Sequence, residues 1–269
     1  MGVQGQKFVI TGAADGMGAA TARVAASRGA KACLADIDVE NGNIVAESIR
    51  SAGGDAWFIP CDVTDDRALE SLMHESADRM GGIDVLHNNA GVIDLIVGEP
   101  ASITVENLDR AVWNKVIAIN LSAPMFAAKA ALPYLKKSSN ASIINAASTA
   151  AFVGGPTMLA YGASKGGLAT LTKNLAVDLA RYGIRANCYC PGVIDTSLTE
   201  RYRKSVPDPA SIERLFFQSN LMPRIGRPEE VAELVCFLAG DESRYVNGAV
   251  WIIDGGQLAW RGTLDTLGI

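Results

Sequence analysis

A chain of 269 residues is long enough to bury a substantial core, as one large α/β domain or two small ones. About half of it is apolar and a fifth is charged, and the formal charge of −5 with no basic tract excludes a nucleic-acid-binding surface. No apolar run reaches membrane-spanning length, and the N-terminus enters the apolar run Lys7–Thr11 without the regions of a signal peptide, so no membrane partner is expected.

In chain order, strand-like and helix-like segments alternate. Lys7–Thr11 is an apolar strand ending at a glycine, and Met17–Arg28 has helical composition and stops at Gly29. Ala30–Ala35 reads as the second strand and Val39–Ala52 as a helix halted by Gly53–Gly54. The third strand is Ala56–Pro60, followed by a helix over Asp65–Met80 that ends at Gly81–Gly82, and the fourth strand is Val85–Asn88. A long helix over Leu108–Leu135 precedes the strand Ser142–Ala147, and another over Thr157–Tyr182 precedes the strand Arg185–Tyr189. Glu229–Ala239 is the last helix and Val250–Ile253 the last strand.

The strands are continuous apolar runs, as strands covered on both faces are, and strict alternation with helices predicts a doubly wound parallel sheet of about seven strands. No repeat or low-complexity linker breaks the chain, so residues 1–269 read as one domain. The exception to the pattern is Asp195–Met222, which carries charges, Pro207 and Pro209, and the aromatics Tyr202, Phe216 and Phe217. It lies between a strand and a helix, where ligand loops of α/β sheets occur, and reads as a mobile substrate lid. The five cysteines (Cys33, Cys61, Cys188, Cys190 and Cys236) read as buried thiols of a reducing cytoplasm. Cys188 and Cys190 form at most half a metal site, and His74 and His87 lack the paired spacing of zinc ligands, so no metal is expected.

The first strand runs into Thr11-Gly12-Ala13-Ala14-Asp15-Gly16-Met17-Gly18 and then a helix. Glycines there permit a tight turn and close approach of backbone N–H groups to a phosphate, and the helix points its positive end at the same place. Asp36 closes the second strand, where its carboxylate can accept hydrogen bonds from the ribose of an adenine nucleotide. Asp38, just before Val39, suits a helix cap better.

With these motifs the chain resembles the short-chain dehydrogenase/reductase family over about Gly5–Gly256. The spacing Thr-Gly-x-x-x-Gly-x-Gly is joined in order by Cys61-Asp62-Val63, Asn88-Asn89-Ala90-Gly91, Asn120, Ser148, Tyr161-x-x-x-Lys165 and Pro191-Gly192. The resemblance implies a single-domain Rossmann fold, with Asp62 and Val63 near an adenine. It also implies that Asn89, Ala90 and Gly91 pack along the nucleotide and that Ile194 and Thr196 meet the nicotinamide carboxamide. Gly12, Asp15, Gly16, Met17, Gly18, Asp36, Ile37, Pro191 and Gly192 complete the cofactor contacts it implies. Two departures are minor: His87 replaces the apolar residue usual before the double asparagine, and Ala147 stands where a second serine is common.

Interconversion of an alcohol and a ketone needs a hydride carrier, which a nicotinamide supplies, and a proton donor or acceptor near neutral pH. A tyrosine hydroxyl titrates near 10 in isolation, and a nearby cation lowers that value. Tyr161 and Lys165 are four apart in a helical stretch and share a face. The resemblance implies that Tyr161 transfers the proton. Lys165 lowers its pKa and holds the nicotinamide ribose, Ser148 binds the substrate oxygen, and Asn120 positions a water linking Lys165 to solvent. The small residues around Tyr161 (Gly162, Ala163, Ser164, Gly166 and Gly167) allow close approach to a cofactor or a second subunit.

Asp36 favours NAD over NADP, because a 2′-phosphate would face its carboxylate, and the resemblance adds Asp15, which stands where NADP-preferring relatives often carry a basic residue. The alternatives are an NADP-dependent carbonyl reductase, an epimerase or dehydratase (for which too little chain remains beyond the core), and a catalytically silent nucleotide-binding protein. In the lid, Leu198, Tyr202, Leu215, Phe216 and Phe217 suit a hydrophobic, cyclic or steroid-like secondary alcohol. Arg201, Arg203, Lys204 and Arg214 suit solvent or an acid. The family further implies a homotetramer, with the terminal segment Leu258–Ile269, containing Trp260 and Leu264, against a neighbour.

Overall fold

Seven parallel strands form one sheet in the order β3-β2-β1-β4-β5-β6-β7. In the computed structural model, which describes residues 2–99, 102–205, 217 and 220–260, they are β1 Lys7–Thr11, β2 Lys31–Asp36, β3 Asp55–Pro60, β4 Val85–Asn88, β5 Ser142–Ala146, β6 Arg185–Pro191 and β7 Val250–Ile253. Every pairing is parallel, with Val9 opposite Cys33 on one side and Leu86 on the other. The side chains alternate between two cores: Phe8 and Ile10 enter one cluster, Val9 the other. Burial on both faces is why the central segments read as unbroken apolar runs, whereas the edge strand β7 is partly exposed.

The helices cover both faces. On the first lie α1 Gly16–Ser27, α2 Val39–Ser51 and α9 Pro228–Ala239, which contribute Ala22, Val45, Ile49, Val231 and Val235 to the core. On the second lie α3 Asp66–Met80, α6 Ala123–Leu135 and α7 Leu159–Leu179, contributing Leu69, Leu72, Met73, Ala131 and Leu179. Local chemistry sets the ends. Asp38 accepts the Asn41 N–H at 3.1 Å to cap α2, as its position in the sequence suggests. Asp65 caps α3, and Gly81, in the left-handed region at φ 78°, ends it.

The order of strands reverses direction between β1 and β4, so the loops after these two strands diverge and leave a crevice at their C-terminal ends. Thr11–Gly18 and Asn89–Gly91 occupy those loops.

The structure departs from the sequence expectations in four places. The long helix expected over Leu108–Leu135 is composite. Helix α5 Arg110–Ile117 runs into a π-turn, Ala118–Ser122, before α6. This whole span, Arg110–Leu135, is long and apolar enough to cross a membrane, which corrects the expectation that no such run exists. In the fold its Ala127, Ala128, Ala131 and Leu135 pack against the sheet with α3. A short helix, α4 Asp94–Val97, follows β4, and a 3-10 turn, Thr149–Ala151, follows β5. The lid begins as helix α8 Ser197–Ser205, with Tyr202 buried. Residues 206–216 and 218–219 of the lid, with Pro207, Pro209, Arg214, Leu215 and Phe216, lie outside the described residues, as do residues 261–269 with Leu264.

Candidate active site

The crevice is a groove of about 430 Å³. Its floor is made by the glycine turn, and three close approaches explain the glycines. Gly12 has φ 65° and lies so close to the next loop that a Cβ would stand 2.7 Å from Ala90 Cα. Gly16 has φ 54° and faces the Thr196 methyl, while a Cβ on Gly18 would run into the Gly12 carbonyl. Asn89 locks the two loops together: its Nδ2 donates to the Gly12 carbonyl at 2.8 Å and to the Thr11 carbonyl at 3.2 Å. The Thr11 hydroxyl accepts the N–H groups of Asn89 and Ala90 at 3.1 and 3.2 Å.

Asp36 stands at the end of β2 on the groove wall. One oxygen accepts the Ala14 N–H at 3.0 Å and the other the Asp38 N–H at 3.0 Å, so the carboxylate is fixed between the glycine turn and the start of α2. Asp15, Gly16, Met17, Ile37, Asp62, Val63, Asn89, Ala90, Gly91 and Thr196 line the same groove. Asp62 turns its carboxylate onto the Thr64 N–H and hydroxyl, and Ile37 stands exposed at the rim. Six of the expected contacts do not line it, Tyr161 and Lys165 of α7 among them. Gly18 packs beneath the turn, Ile194 is buried, and Pro191 and Gly192 form the end of β6 and its crossing over Asp254. The glycine cradle, the fixed acceptor pair of Asp36 and the groove's length along both loops fit a dinucleotide. Arg201 of α8 also lines the groove, facing a wall that carries Asp15, Asp36, Asp38 and Asp62.

The four residues assigned to the reaction come from three elements. Ser148 follows β5, and its hydroxyl accepts the Ala150 N–H at 3.1 Å. Tyr161 and Lys165 lie one turn apart on α7, with Lys165 Nζ 5.6 Å from the Tyr161 ring centre. Asn120 sits buried in the π-turn, where a wider helical turn frees main-chain groups. Both hydrogens of its amide are engaged, on the Val92 carbonyl at 2.8 Å and the Ser164 hydroxyl at 3.1 Å, and its Oδ1 accepts the Val92 N–H at 2.9 Å. Its side chain therefore clamps the segment after β4 against α7.

Burial dominates the electrostatics. It raises the Tyr161 hydroxyl above its ordinary value, against a lowering hydrogen bond from Ser148, while Cys190 and Asp94 add to the upward push. It drives the Lys165 ammonium down to about 8, although Cys190 and Cys188 pull the other way. Lys165 donates to the Ala146 carbonyl at 2.6 Å. In the chain alone Lys165 is thus not sufficient to bring Tyr161 below its usual range. Burial also pushes His87 down to about 3, which keeps its ring neutral. The His87 Nε2 lies 2.9 Å from the Tyr189 hydroxyl, so it is a core group within the sheet.

Two features escaped the sequence reading. Asp94 is fully buried and accepts the Ala160 and Tyr161 N–H groups, each at 2.9 Å. The signal was there: a lone carboxylate inside Val92-Ile93-Asp94-Leu95-Ile96-Val97. A hollow of about 370 Å³ lies between the segment that follows Ser148 and the start of α7, lined by Ala150, Phe152, Val153, Met158, Leu159 and Gly162. All five cysteines are free and buried, and among the described residues no cluster of three or more His, Cys, Asp or Glu could hold a metal ion.

The family model described as enoyl-(acyl carrier protein) reductase matches residues 12–257. A cis-4-hydroxycyclohexanecarboxylate dehydrogenase of Sinomonas cyclohexanicum is 38% identical over 251 residues, covering 93% of this chain and 96% of its own. A meso-2,3-butanediol dehydrogenase of Serratia marcescens is 36% identical, covering 93% and 94%. The crystal structure of levodione reductase superposes with a TM-score of 0.89 at 32% identity, over 96% of this chain and 99% of that one. With the sheet order, the glycine cradle and the Ser148, Tyr161 and Lys165 cluster, these likenesses make the chain a member of the short-chain dehydrogenase/reductase family of nicotinamide-dependent oxidoreductases.

Proposed function

We propose that the protein interconverts a hydrophobic, cyclic secondary alcohol and its ketone with NAD as cofactor. The observation that carries the reaction type is the convergence of Ser148, Tyr161 and Lys165 beside the groove at the sheet's switch point. Gly12, Gly16, Met17, Asp36 and Asn89–Gly91 would hold the dinucleotide, which would supply the hydride-transfer chemistry. Ser148 then orients the substrate oxygen and Tyr161 gives or takes its proton. Lys165 holds the ribose, and Asn120 holds the segment after β4 and, through its main chain, a water on the way to Lys165. The positive charge of an oxidised nicotinamide, together with Lys165, would lower the Tyr161 hydroxyl from the raised value it has in the chain alone.

NAD is favoured by the fixed Asp36 carboxylate and by the acidic wall of Asp15, Asp38 and Asp62. The substrate reading rests on the hollow between the segment after Ser148 and the start of α7, with its half-exposed apolar side chains Phe152, Val153 and Leu159. The cyclic alcohol named for the Sinomonas relative is of the same class. That relative's substrate is also a carboxylate, and Arg201 on α8 favours a cyclic hydroxy acid as the second reading. The free cysteines suit a reducing cytoplasm. Two separate apolar surfaces, Met125 and Phe126 on α6 and Phe237, Trp251 and Ile252 on α9 and β7, suit the two distinct two-fold contacts of a homotetramer.

The test of Tyr161 is Tyr161→Phe. It should bind NADH as the wild type does and lose turnover by roughly 10²–10⁴-fold, the usual contribution of a positioned acid–base group. A variant that keeps more than about a tenth of the wild-type rate, with chemistry limiting, removes Tyr161 from this role.

A further inference from the structure

Helix α7 has no cap of its own. Its first flanking residue is Met158, which has no side-chain acceptor to offer, and the residue before that, Thr157, has φ 57°. The N–H groups of the first helical turn need acceptors, and Ala160 is wholly buried, so solvent does not serve its backbone. Asp94 supplies both. It lies on α4, 66 and 67 residues earlier, is itself fully buried, and gives one oxygen to the Ala160 N–H and the other to the Tyr161 N–H, each at 2.9 Å.

The carboxylate therefore grips the backbone of the proton-transferring residue. It does so from the segment that begins in the groove: Gly91 lines the cofactor site, and Asp94 is three residues on. Between them, Val92 is held on both main-chain groups by Asn120, whose amide also donates to Ser164 on α7. Gly91–Asp94 is thus a short strut, fastened to α7 at both Ser164 and Tyr161, that links the cofactor wall to the phenol.

We propose that Asp94 is a positioning residue for the reaction, capping the catalytic helix from outside so that the Tyr161 hydroxyl stands at a fixed distance from Ser148 and the cofactor groove. This rests on Tyr161 as the acid–base group. The Asp94 side chain contacts neither groove nor hollow, so its loss acts through Tyr161.

The experiment compares Asp94→Ala and Asp94→Asn with the wild type, and each in a Tyr161→Phe background, in single turnovers with enzyme in excess. A parallel NADH titration by fluorescence follows cofactor binding. Because a displacement of about 1 Å costs up to about a hundredfold in a positioned reaction, Asp94→Ala should lower the rate at least about tenfold. Asp94→Asn keeps the volume and one acceptor and should lose about threefold or more, and it carries the decision if the alanine variant does not fold. The NADH dissociation constant should stay within about twofold, and neither substitution should slow the Tyr161→Phe enzyme further, as coupled residues behave in a double-variant cycle. A folded variant within about twofold of the wild-type rate, or an equal loss in both backgrounds, overturns the proposal. Failure of the underlying reading is a different result: Tyr161→Phe would itself remain active.

Discussion

Lys165 shows at the residue scale what the site costs. Its ammonium is 4% exposed and is held at about 8 instead of the ordinary 10.5. Below pH 8 the folded chain carries this charge buried, whereas the unfolded chain carries it in water. Folding is penalised there, by about 3 kcal/mol at the usual conversion. Between about 8 and 10.5 the unfolded chain binds more protons, so this contribution to stability rises with pH, and the penalty is gone above 10.5. Lys165→Met should therefore stabilise the cofactor-free protein at pH 7 by about 1–2 kcal/mol, once the stranded Ala146 carbonyl is counted, a gain of several degrees in Tm. The gain should shrink toward pH 10, and thermal unfolding at the two pH values reads it. A lower Tm for the variant at pH 7 would contradict the burial argument. Ser148, Tyr161, Lys165 and Asp36 could be proposed from the sequence because they stand at short, ordered spacings. Asp94 was not legible, because its partners, Ala160 and Tyr161, are brought to it only by the fold.

At the scale of elements, the strands were legible almost to the residue. An apolar run bounded by glycine or proline has few other uses in a chain of this length. The π-turn at Ala118–Ser122 was not, since one extra residue in a helical turn leaves the apolar period nearly intact. Nor was α8, whose composition is polar apart from Leu198 and the buried Tyr202. This helix is moored at its start: the Thr199 hydroxyl donates to the Ile194 carbonyl at 2.6 Å and lies 3.3 Å from that of Thr196. Thr196, Ser197, Leu198 and Arg201 meanwhile face the groove. A helix that faces a ligand site in this way is suited to closing over it. Amide exchange over Ser197–Ser205 should be faster than over α9 in the free protein and should slow when NADH is added. Slow exchange there from the outset, unchanged by NADH, would count against a lid.

For the whole molecule, one doubly wound sheet brings loops more than seventy residues apart to a single crevice, and the alternation of elements was enough to foresee it. A homotetramer is a proposal that rests on the family resemblance and on two exposed apolar surfaces. In the structure, the T-shaped pair Phe237 and Trp251, with ring centres 5.7 Å apart, marks one apolar surface beside the edge strand β7, and Met125 and Phe126 mark another. An exposed apolar edge strand calls for a partner. Light scattering at micromolar concentration should give a mass about four times the 28.3 kDa of one chain, and a monomer would contradict the assembly. The central claim is tested most directly by initial rates on a panel of cyclic secondary alcohols, with NAD and with NADP in turn. A 2′-phosphate against Asp36 meets a repulsion of roughly 1–4 kcal/mol and displaces the ribose from its acceptors. The account therefore predicts turnover with NAD at a kcat/KM at least about tenfold above that with NADP, and a gap that Asp36→Ala narrows mainly by weakening NAD. Equal or higher kcat/KM with NADP, or no turnover across the panel by a chain that binds NADH, would contradict it.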